Sequence, residues 1–234
     1  MRLDQYFAAV FVINLVDRSD RRRDMEAELK RAGIKATFFN ATRPTELGDW
    51  PSLGAKGVFL SHYSILKIAL ETGLSNVLVL EDDVDFSANV AEMESQLLRE
   101  LGDQPWGFLY PGHVEKIAAP KRPGTQLVEW HSGLLTTHFY AVNGSVLPRL
   151  VQFLEQAKSR PNGHPLGGPQ FIDGAYSMFR AQNPDVRTLI AWPVLGSQRS
   201  SRSDITPSRI DSLPLVRETI DGVRRLRRLI SRPG

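Results

Sequence analysis

The segment "NVLVLEDDVDF", residues 76–86, constrains the fold more than any other part of the chain. Four aliphatic residues, Val77 to Leu80, predict a strand that is buried on both faces, as strands are inside a parallel sheet. Four acids follow at once: Glu81, Asp82, Asp83 and Asp85. Unpaired burial of such carboxylates costs several kcal/mol. The segment therefore predicts a parallel sheet with a positively charged partner at its edge.

Strand and helix patterns alternate through the first half of the chain, which predicts an α/β fold with helices on both faces of a mainly parallel sheet. Ser19 is the predicted N-cap of the first long helix and Gly33 its end. The loop "RPTELGDWPSLGAKG" is expected to precede the next helix. The pattern changes after Pro111, where "QLVEWH" and "LLTTHFYAVN" predict strands that join the sheet in antiparallel orientation.

The chain is predicted to form one domain over residues 1–198, with a basic tail over residues 199–234. The segment "GSQRSSRSDITPSR" is too polar and too rich in Ser and Arg to pack, so we expect it to be mobile. The tail ends in an amphipathic helix pattern and holds nine arginines against four acids. Either this helix binds an anionic membrane surface or its apolar stripe packs on the domain.

Composition excludes several classes of protein. The 234 residues contain no cysteine, which rules out disulfides and thiolate metal sites. The apolar run "YFAAVFVINLV" is about half the length that a bilayer span needs and has no basic region before it. We interpret it as a strand and expect a cytoplasmic protein, peripheral at a membrane at most. No nucleic-acid partner is expected.

The acids follow the strand where open α/β sheets bind their ligands. Glu81 and Asp83 point to the same side of an extended chain, and carboxylate oxygens suit Mn²⁺ or Mg²⁺, which in turn can hold a diphosphate. The alternative is a solvated turn. No glycine-rich phosphate loop is present. A bound nucleotide would therefore depend on a metal and on scattered polar groups.

Three ordered pieces carry a resemblance to a known family: "VFVINLVDRSDRR", "KGVFLSHYSILKIAL" and "VLVLEDDVDF". With the later "TTHFYAVNGSVLPRLV", "IDGAYSM" and "WPVLGSQRSSRSDI", they resemble glycosyltransferase family 25 over roughly residues 9–206. That family includes lipopolysaccharide β-galactosyltransferases and collagen galactosyltransferases. The chain departs from it at Val58, where many members have Cys. The resemblance implies a GT-A type fold, a UDP-sugar donor and a divalent metal, Mn²⁺ or Mg²⁺, bound by Glu81 and Asp83.

The resemblance and the strand ends together give a set of donor-binding candidates. They are Asn14, Arg18, Asn40, Thr42, Ser61, His62, Asp82 and Asp83. Two of these have plain structural alternatives, because Arg18, like Arg22, could decorate an exposed helix face and His62 could be a satisfied core residue. His138 is left open between the metal or substrate shell and the core.

Asp173 is the candidate catalytic base, since inverting sugar transfer needs a carboxylate facing the acceptor hydroxyl. The alternative for Asp173 is a helix-capping acid, kept ionised by the helix start. The competing base is Asp204.

The sequence predicts a metal-dependent inverting glycosyltransferase. It would move a hexose, galactose by resemblance, from UDP to a hydroxyl of a surface glycan such as lipopolysaccharide or of a lipid-linked oligosaccharide. Two alternatives remain. One is a catalytically inactive relative that binds nucleotide or glycan as an interaction module. The other is a nucleotidyl- or phosphoryl-transferring α/β enzyme.

Overall fold

A computed structural model describes residues 1–120 and 122–199 of the chain. Nine strands are found in these residues: β1 (Ala9–Asn14), β2 (Thr37–Asn40), β3 (Asn76–Glu81), β4 (Val84–Phe86), β5 (Phe108–Tyr110), β6 (Gln126–Glu129), β7 (Phe139–Asn143), β8 (Thr188–Trp192) and β9 (Gly196–Gln198). The helices are α1 (Leu3–Tyr6), α2 (Ser19–Ala32), α3 (Leu53–Glu71), α4 (Val90–Leu101), α5 (Leu147–Ser159) and α6 (Ile172–Gln182). None of the helices within these residues is both long and apolar enough to cross a membrane.

Seven strands form the main sheet, in the order β2-β1-β3-β7-β5-β8-β6. β1 pairs in parallel with β2 and β3, and β5 pairs in parallel with β8. β7 runs antiparallel between β3 and β5, and β6 runs antiparallel to β8. The predicted mainly parallel α/β fold is confirmed. The two antiparallel additions are also confirmed, although β7 lies inside the sheet and not at its edge.

β3 divides the hydrophobic core in two because alternate side chains of a strand point to opposite faces of the sheet. Val77 and Val79 pack with residues of α3, α5 and α6, whereas Leu78 and Leu80 pack with residues of α1, α2 and α4. All four side chains are fully buried. The predicted burial of this strand on both faces is therefore confirmed, and helices cover both sides of the sheet.

The chain turns sharply after β3 and returns as β4, which pairs antiparallel with β9. This small two-stranded sheet was not expected, because Gly196–Gln198 belongs to the polar segment predicted to be mobile. That prediction is wrong for these three residues, since backbone pairing with β4 orders a strand that has little apolar side chain to bury. The rest of the segment and the predicted tail lie outside the described residues, apart from Arg199.

Helix ends differ from the sequence prediction at two places. Ser19 is the first helical residue of α2 and not its N-cap, which is Arg18, without a side-chain capping bond. Gly33 ends α2 in the left-handed region, as predicted, with φ of 67°. α3 begins at Leu53, inside the segment expected to be a loop, because Ser52 caps it by accepting a hydrogen bond from the Ala55 N–H at 3.0 Å.

Gly57 allows the chain after β2 to pass close to α3. A Cβ at this position would lie 2.7 Å from the Thr42 carbonyl oxygen and 3.2 Å from Pro44 Cδ. A helix-interior Gly→Ala change normally stabilises a protein by about 0.5–1 kcal/mol. Here we expect Gly57→Ala to lower the free energy of unfolding by about 1–3 kcal/mol, because the backbone must shift. Urea unfolding measures this, and a gain in stability would contradict the close approach.

Candidate active site

Polar residues converge at the carboxyl ends of three neighbouring parallel strands. In the strand register Asn14 at the end of β1 lies opposite Asn40 at the end of β2, and Ile13 lies opposite Glu81 at the end of β3. The topology thus brings together Asn14, Asn40 and the acidic turn after β3. This is the edge at which open α/β sheets bind ligands.

Asp82 is held by two side chains, one on each carboxylate oxygen. Asn14 Nδ2 donates to its Oδ2 at 2.7 Å, and Arg21 Nη1 donates to its Oδ1 at 2.9 Å. Asn14 Nδ2 also lies 3.3 Å from the Arg18 carbonyl oxygen. Because both oxygens of Asp82 have partners, this carboxylate fixes the shape of the turn and ties it to β1 and α2.

Asp83 has one satisfied oxygen and one unsatisfied one. Gln198 Nε2 donates to Oδ2 at 3.2 Å, and Arg21 Nη1 lies 3.6 Å from the same atom. Oδ1 is buried and has no hydrogen-bond partner. Burial raises the pKa of Asp83 to about 7, the charge of Glu81 adds to this rise, and the charge of Arg21 opposes it. A buried carboxylate oxygen in this state is poised for a cation.

Glu81 lies beside Asp83, and two buried side chains, those of Thr137 and His62, orient its carboxylate. Thr137 Oγ1 donates to Glu81 Oε1 at 2.9 Å, and His62 Nε2 lies 3.5 Å from the same oxygen. Burial opposes ionisation of Glu81, but its contacts with His62 and Thr137 outweigh burial, so its pKa lies below the ordinary value. Glu81 is therefore ionised at neutral pH and presents its other oxygen, Oε2, for further contacts.

The donor set fits Mg²⁺ or Mn²⁺ held by two carboxylates. Within the described residues no group of three or more His, Asp or Glu side chains is arranged to hold a metal. Magnesium sites commonly use one or two carboxylates, with water and substrate phosphates as the remaining ligands. Glu81 and Asp83, with the unsatisfied Oδ1 of Asp83, match such a site.

His62 belongs to a buried chain of hydrogen bonds. Its Nδ1 lies 2.9 Å from the Tyr140 hydroxyl, which lies 2.8 Å from the Tyr176 hydroxyl. We assign the His62 proton to Nε2, facing Glu81, so that the Tyr140 hydroxyl donates to Nδ1. His62 is fully buried. It contributes by holding Glu81 and connects the acidic turn to α6, which carries Tyr176.

Ser61 and Thr42, both donor-binding candidates, contact each other. Ser61 Oγ accepts a hydrogen bond from the Thr42 N–H at 2.8 Å and donates to the Gly57 carbonyl at 2.7 Å. The Ser61 hydroxyl is fully buried, so it fixes the chain that follows β2. Asn40, at the end of that strand, is exposed. Of these residues, Asn40 is the one whose side chain faces solvent at the site.

The arginines at the start of α2 separate into different environments. Arg18 forms a bidentate ion pair with Asp20 through two hydrogen bonds of 3.0 Å each. This ion pair lowers the pKa of Asp20 to about 2. Arg22 pairs with Glu26 at 2.9 Å and lies 4.2 Å above the Phe38 ring. Arg22 therefore decorates the helix surface, which was the structural alternative considered for it.

Asp173 lies in the first turn of α6 and is half-buried. Its Oδ1 accepts a hydrogen bond from the Gly174 N–H at 2.7 Å. Burial raises its pKa above the ordinary value, the hydrogen bond from the Gly174 N–H opposes this rise, and the charge of Glu81 adds to it. The backbone hydrogen bonds at the helix start lower this pKa, as expected for a carboxylate in that position, but burial has the larger effect. Asp173 thus lies within electrostatic reach of the acidic turn.

Three contributors to the site were missed from sequence. Arg21 lies in "DRRRD", but the sequence does not show which of these adjacent arginines lies on the face of α2 that points toward the acidic turn. Thr137 precedes β7, and only the insertion of that strand beside β3 brings it to Glu81. Gln198 belongs to the segment expected to be mobile. Competing base Asp204 lies outside the described residues, and His138 is buried with 1% exposure.

Comparison with known proteins shows which family the chain resembles. The model of "Glycosyltransferase family 25 (LPS biosynthesis protein)" matches residues 47–120, which contain α3 and the whole acidic turn. Over these residues the chain is similar to glycosyltransferase family 25. The predicted resemblance to this family is thereby confirmed.

Two curated relatives show how far the family 25 likeness extends. "Probable inactive glycosyltransferase 25 family member 3" of Bos taurus is 33% identical over 132 residues, which cover 47% of this chain and 22% of the relative. "Procollagen galactosyltransferase 1" of Danio rerio is 29% identical over 164 residues, 60% of this chain and 27% of the relative. The chain therefore spans about a quarter of the length of these relatives.

A solved structure supports the fold. A glycosyltransferase involved in the glycosylation of the major capsid of PBCV-1 superposes with a TM-score of 0.53 at 13% identity. The superposition covers 93% of this chain and 98% of that one. This likeness bears on fold alone, and it agrees with the GT-A type architecture expected from sequence.

Proposed function

We propose that this chain is a metal-dependent inverting glycosyltransferase that moves a hexose from a UDP-sugar to a hydroxyl group of a glycan. The observation that carries the proposal is the buried, unpartnered Oδ1 of Asp83 beside Glu81 at the carboxyl edge of the sheet. The likeness to glycosyltransferase family 25 supports sugar transfer, and the absence of a phosphate loop in the sequence supports a metal as the means of holding the diphosphate.

Each part of the site has a proposed task. Glu81 and Asp83 would hold the cation, which when bound would neutralise charge on the departing diphosphate. Asp82, held by Asn14, would face the donor ribose or sugar. Asn40 and Arg18, at the same edge, are the proposed contacts to the rest of the nucleotide. His62 and Ser61 would act indirectly. His62 would hold Glu81 in place, and Ser61 would hold the backbone at Thr42.

Asp173 is the proposed base. It would accept the proton of the acceptor hydroxyl as that oxygen forms the new glycosidic bond and the bond to the diphosphate breaks. Its half-buried position and raised pKa suit a base that must work near neutral pH. One carboxylate acting as base, with no second carboxylate proposed as nucleophile, is the arrangement that inversion requires.

Galactose is the proposed sugar, because one relative bears the name procollagen galactosyltransferase and the family description refers to lipopolysaccharide biosynthesis. The proposed acceptor is a surface glycan such as lipopolysaccharide, or a lipid-linked oligosaccharide. With a lipid-linked acceptor, the proposed place of the reaction is the cytoplasmic face of a membrane. Residues 199–234, with nine arginines, are the proposed contact with anionic lipid.

A second candidate is a catalytically inactive binding module, which the name of the Bos taurus relative favours. A screen of nucleotide sugars for release of the nucleoside diphosphate, with Mn²⁺ and with EDTA, tests both candidates. The proposed enzyme releases UDP from UDP-galactose in a Mn²⁺-dependent manner, faster when a lipopolysaccharide glycan is added as acceptor. A protein that binds UDP with Mn²⁺ but releases none from any donor is the binding module.

A further inference from the structure

Arg21 connects α2 to the acidic turn. Its Nη1 lies 2.9 Å from Asp82 Oδ1 and 3.6 Å from Asp83 Oδ2, and its side chain is 14% exposed. The ion pairs of these two aspartates within the described residues are those with Arg21. The guanidinium therefore reaches both carboxylates through one nitrogen while it borders the open edge of the sheet.

The charges of this cluster do not balance. When ionised, Glu81, Asp82 and Asp83 carry three negative charges, and Arg21 is the arginine whose ion pairs with them are seen in the described part of the chain. The remaining two charges are what a divalent cation neutralises. The atom left without a partner, Asp83 Oδ1, belongs to the carboxylate that Arg21 contacts less closely. A cation at Oδ1 would repel the guanidinium on the other oxygen of the same group.

The position of Arg21 also suits a diphosphate. It lies in the first turn of α2, the helix that follows β1 and begins at the ligand-binding edge of the sheet. Phosphates favour the start of a helix, where backbone N–H groups are unpaired. A guanidinium binds phosphate oxygens with two parallel hydrogen bonds, so it recognises a diphosphate better than an ammonium does.

We propose that Arg21 is an exchangeable counter-ion: it pairs with Asp82 and Asp83 in the donor-free protein and transfers to the donor diphosphate once a divalent cation occupies Asp83. This inference rests on the proposed metal-dependent function and adds a residue and an order of events to it. Arg21 competes with the cation for the carboxylates and then cooperates with it in binding the nucleotide. Arg21 thus weakens the binding of the cation and strengthens the binding of the nucleotide.

Two calorimetric titrations of the full chain test the exchange, first with Mn²⁺ alone and then with UDP at saturating Mn²⁺. Arg21→Gln removes the charge, and we expect it to tighten Mn²⁺ binding by about three- to tenfold because a nearby like charge is lost. The same change should weaken UDP binding by about ten- to a hundredfold, because a charge-assisted contact is lost.

Arg21→Lys keeps the charge and serves as the second variant if Arg21→Gln unfolds at a lower temperature than the unchanged protein. It should leave Mn²⁺ affinity near that of the unchanged protein and weaken UDP binding less than Gln does. Arg23→Gln is the matched control, since Arg23 is an exposed arginine of the same helix. It should change neither affinity.

The outcomes separate this inference from the proposed function. If Arg21→Gln weakens the binding of both Mn²⁺ and UDP, Arg21 only maintains the conformation of the turn. If it tightens the binding of both, Arg21 only repels the cation. Either result overturns the exchange while the metal-dependent function stands. If the unchanged protein binds neither Mn²⁺ nor UDP, the proposed function fails and the exchange fails with it.

Discussion

Asp83→Asn is expected to abolish Mn²⁺-dependent binding of UDP while the protein remains folded. The change keeps the size of the side chain and its contact with Gln198 but removes the charge that would bind the cation. It also removes a buried carboxylate whose pKa is raised to about 7, so the metal-free variant should melt at the same temperature or higher at pH 8. Lost ligand binding with retained or increased stability is typical of a functional residue held in an unfavourable environment.

The measurement is a UDP titration with Mn²⁺ and with EDTA, paired with thermal melting of each variant. Asp103→Asn is the control, because Asp103 is an exposed aspartate in the loop between α4 and β5. We expect loss of UDP affinity beyond the measurable range, more than about a hundredfold, for Asp83→Asn alone. Unchanged Mn²⁺-dependent UDP affinity in that variant would show that Asp83 is not a metal ligand.

The sheet and its acidic edge could be predicted because their determinants are local in sequence. Val77 to Leu80 are apolar without interruption, which is typical of a strand buried on both faces, and the acids follow directly. Chain order then fixes which ends of β1, β2 and β3 meet. For this reason the sequence alone predicts that Asn14 and Asn40, although far apart in the chain, lie at the same edge of the sheet as the acidic turn.

The partners of the acids could not be predicted because they depend on long-range packing. Thr137 reaches Glu81 only because β7 enters the sheet between β3 and β5, a position that its composition does not encode. Gln198 reaches Asp83 through backbone pairing of a polar strand, which hydrophobic patterning cannot detect. Arg21 and Arg22 are adjacent in sequence, and the rotation of α2 alone decides which one contacts the site.

The role of His62 also changed once its surroundings were known. As a lone histidine in a helix it could be a ligand or a core residue, and the family resemblance favoured a donor-binding role. Its contacts with Tyr140 and Glu81 place it within the core, beside the site. His62 is therefore a core residue that also supports Glu81.

Asp173→Asn is expected to bind Mn²⁺ and UDP-sugar as the unchanged protein does and to lose transfer by about a hundredfold to ten-thousandfold, the usual range for a general base. Asn preserves the size of the side chain and the hydrogen bond from the Gly174 N–H, so α6 should begin as before. What it loses is the capacity to accept a proton. The effect should therefore fall on kcat at saturating acceptor and leave donor affinity unchanged.

The pH profile of kcat separates a base from a helix-capping acid. Because burial raises the pKa of Asp173, the unchanged enzyme should lose turnover as pH falls through that raised value and the carboxylate becomes protonated. The residual activity of Asp173→Asn should lack this acidic limb. Asp204→Asn, which alters the competing candidate, should reduce turnover less and keep the limb. Near-full turnover by Asp173→Asn at saturating acceptor would reduce Asp173 to a helix cap and move the base to Asp204 or to another carboxylate.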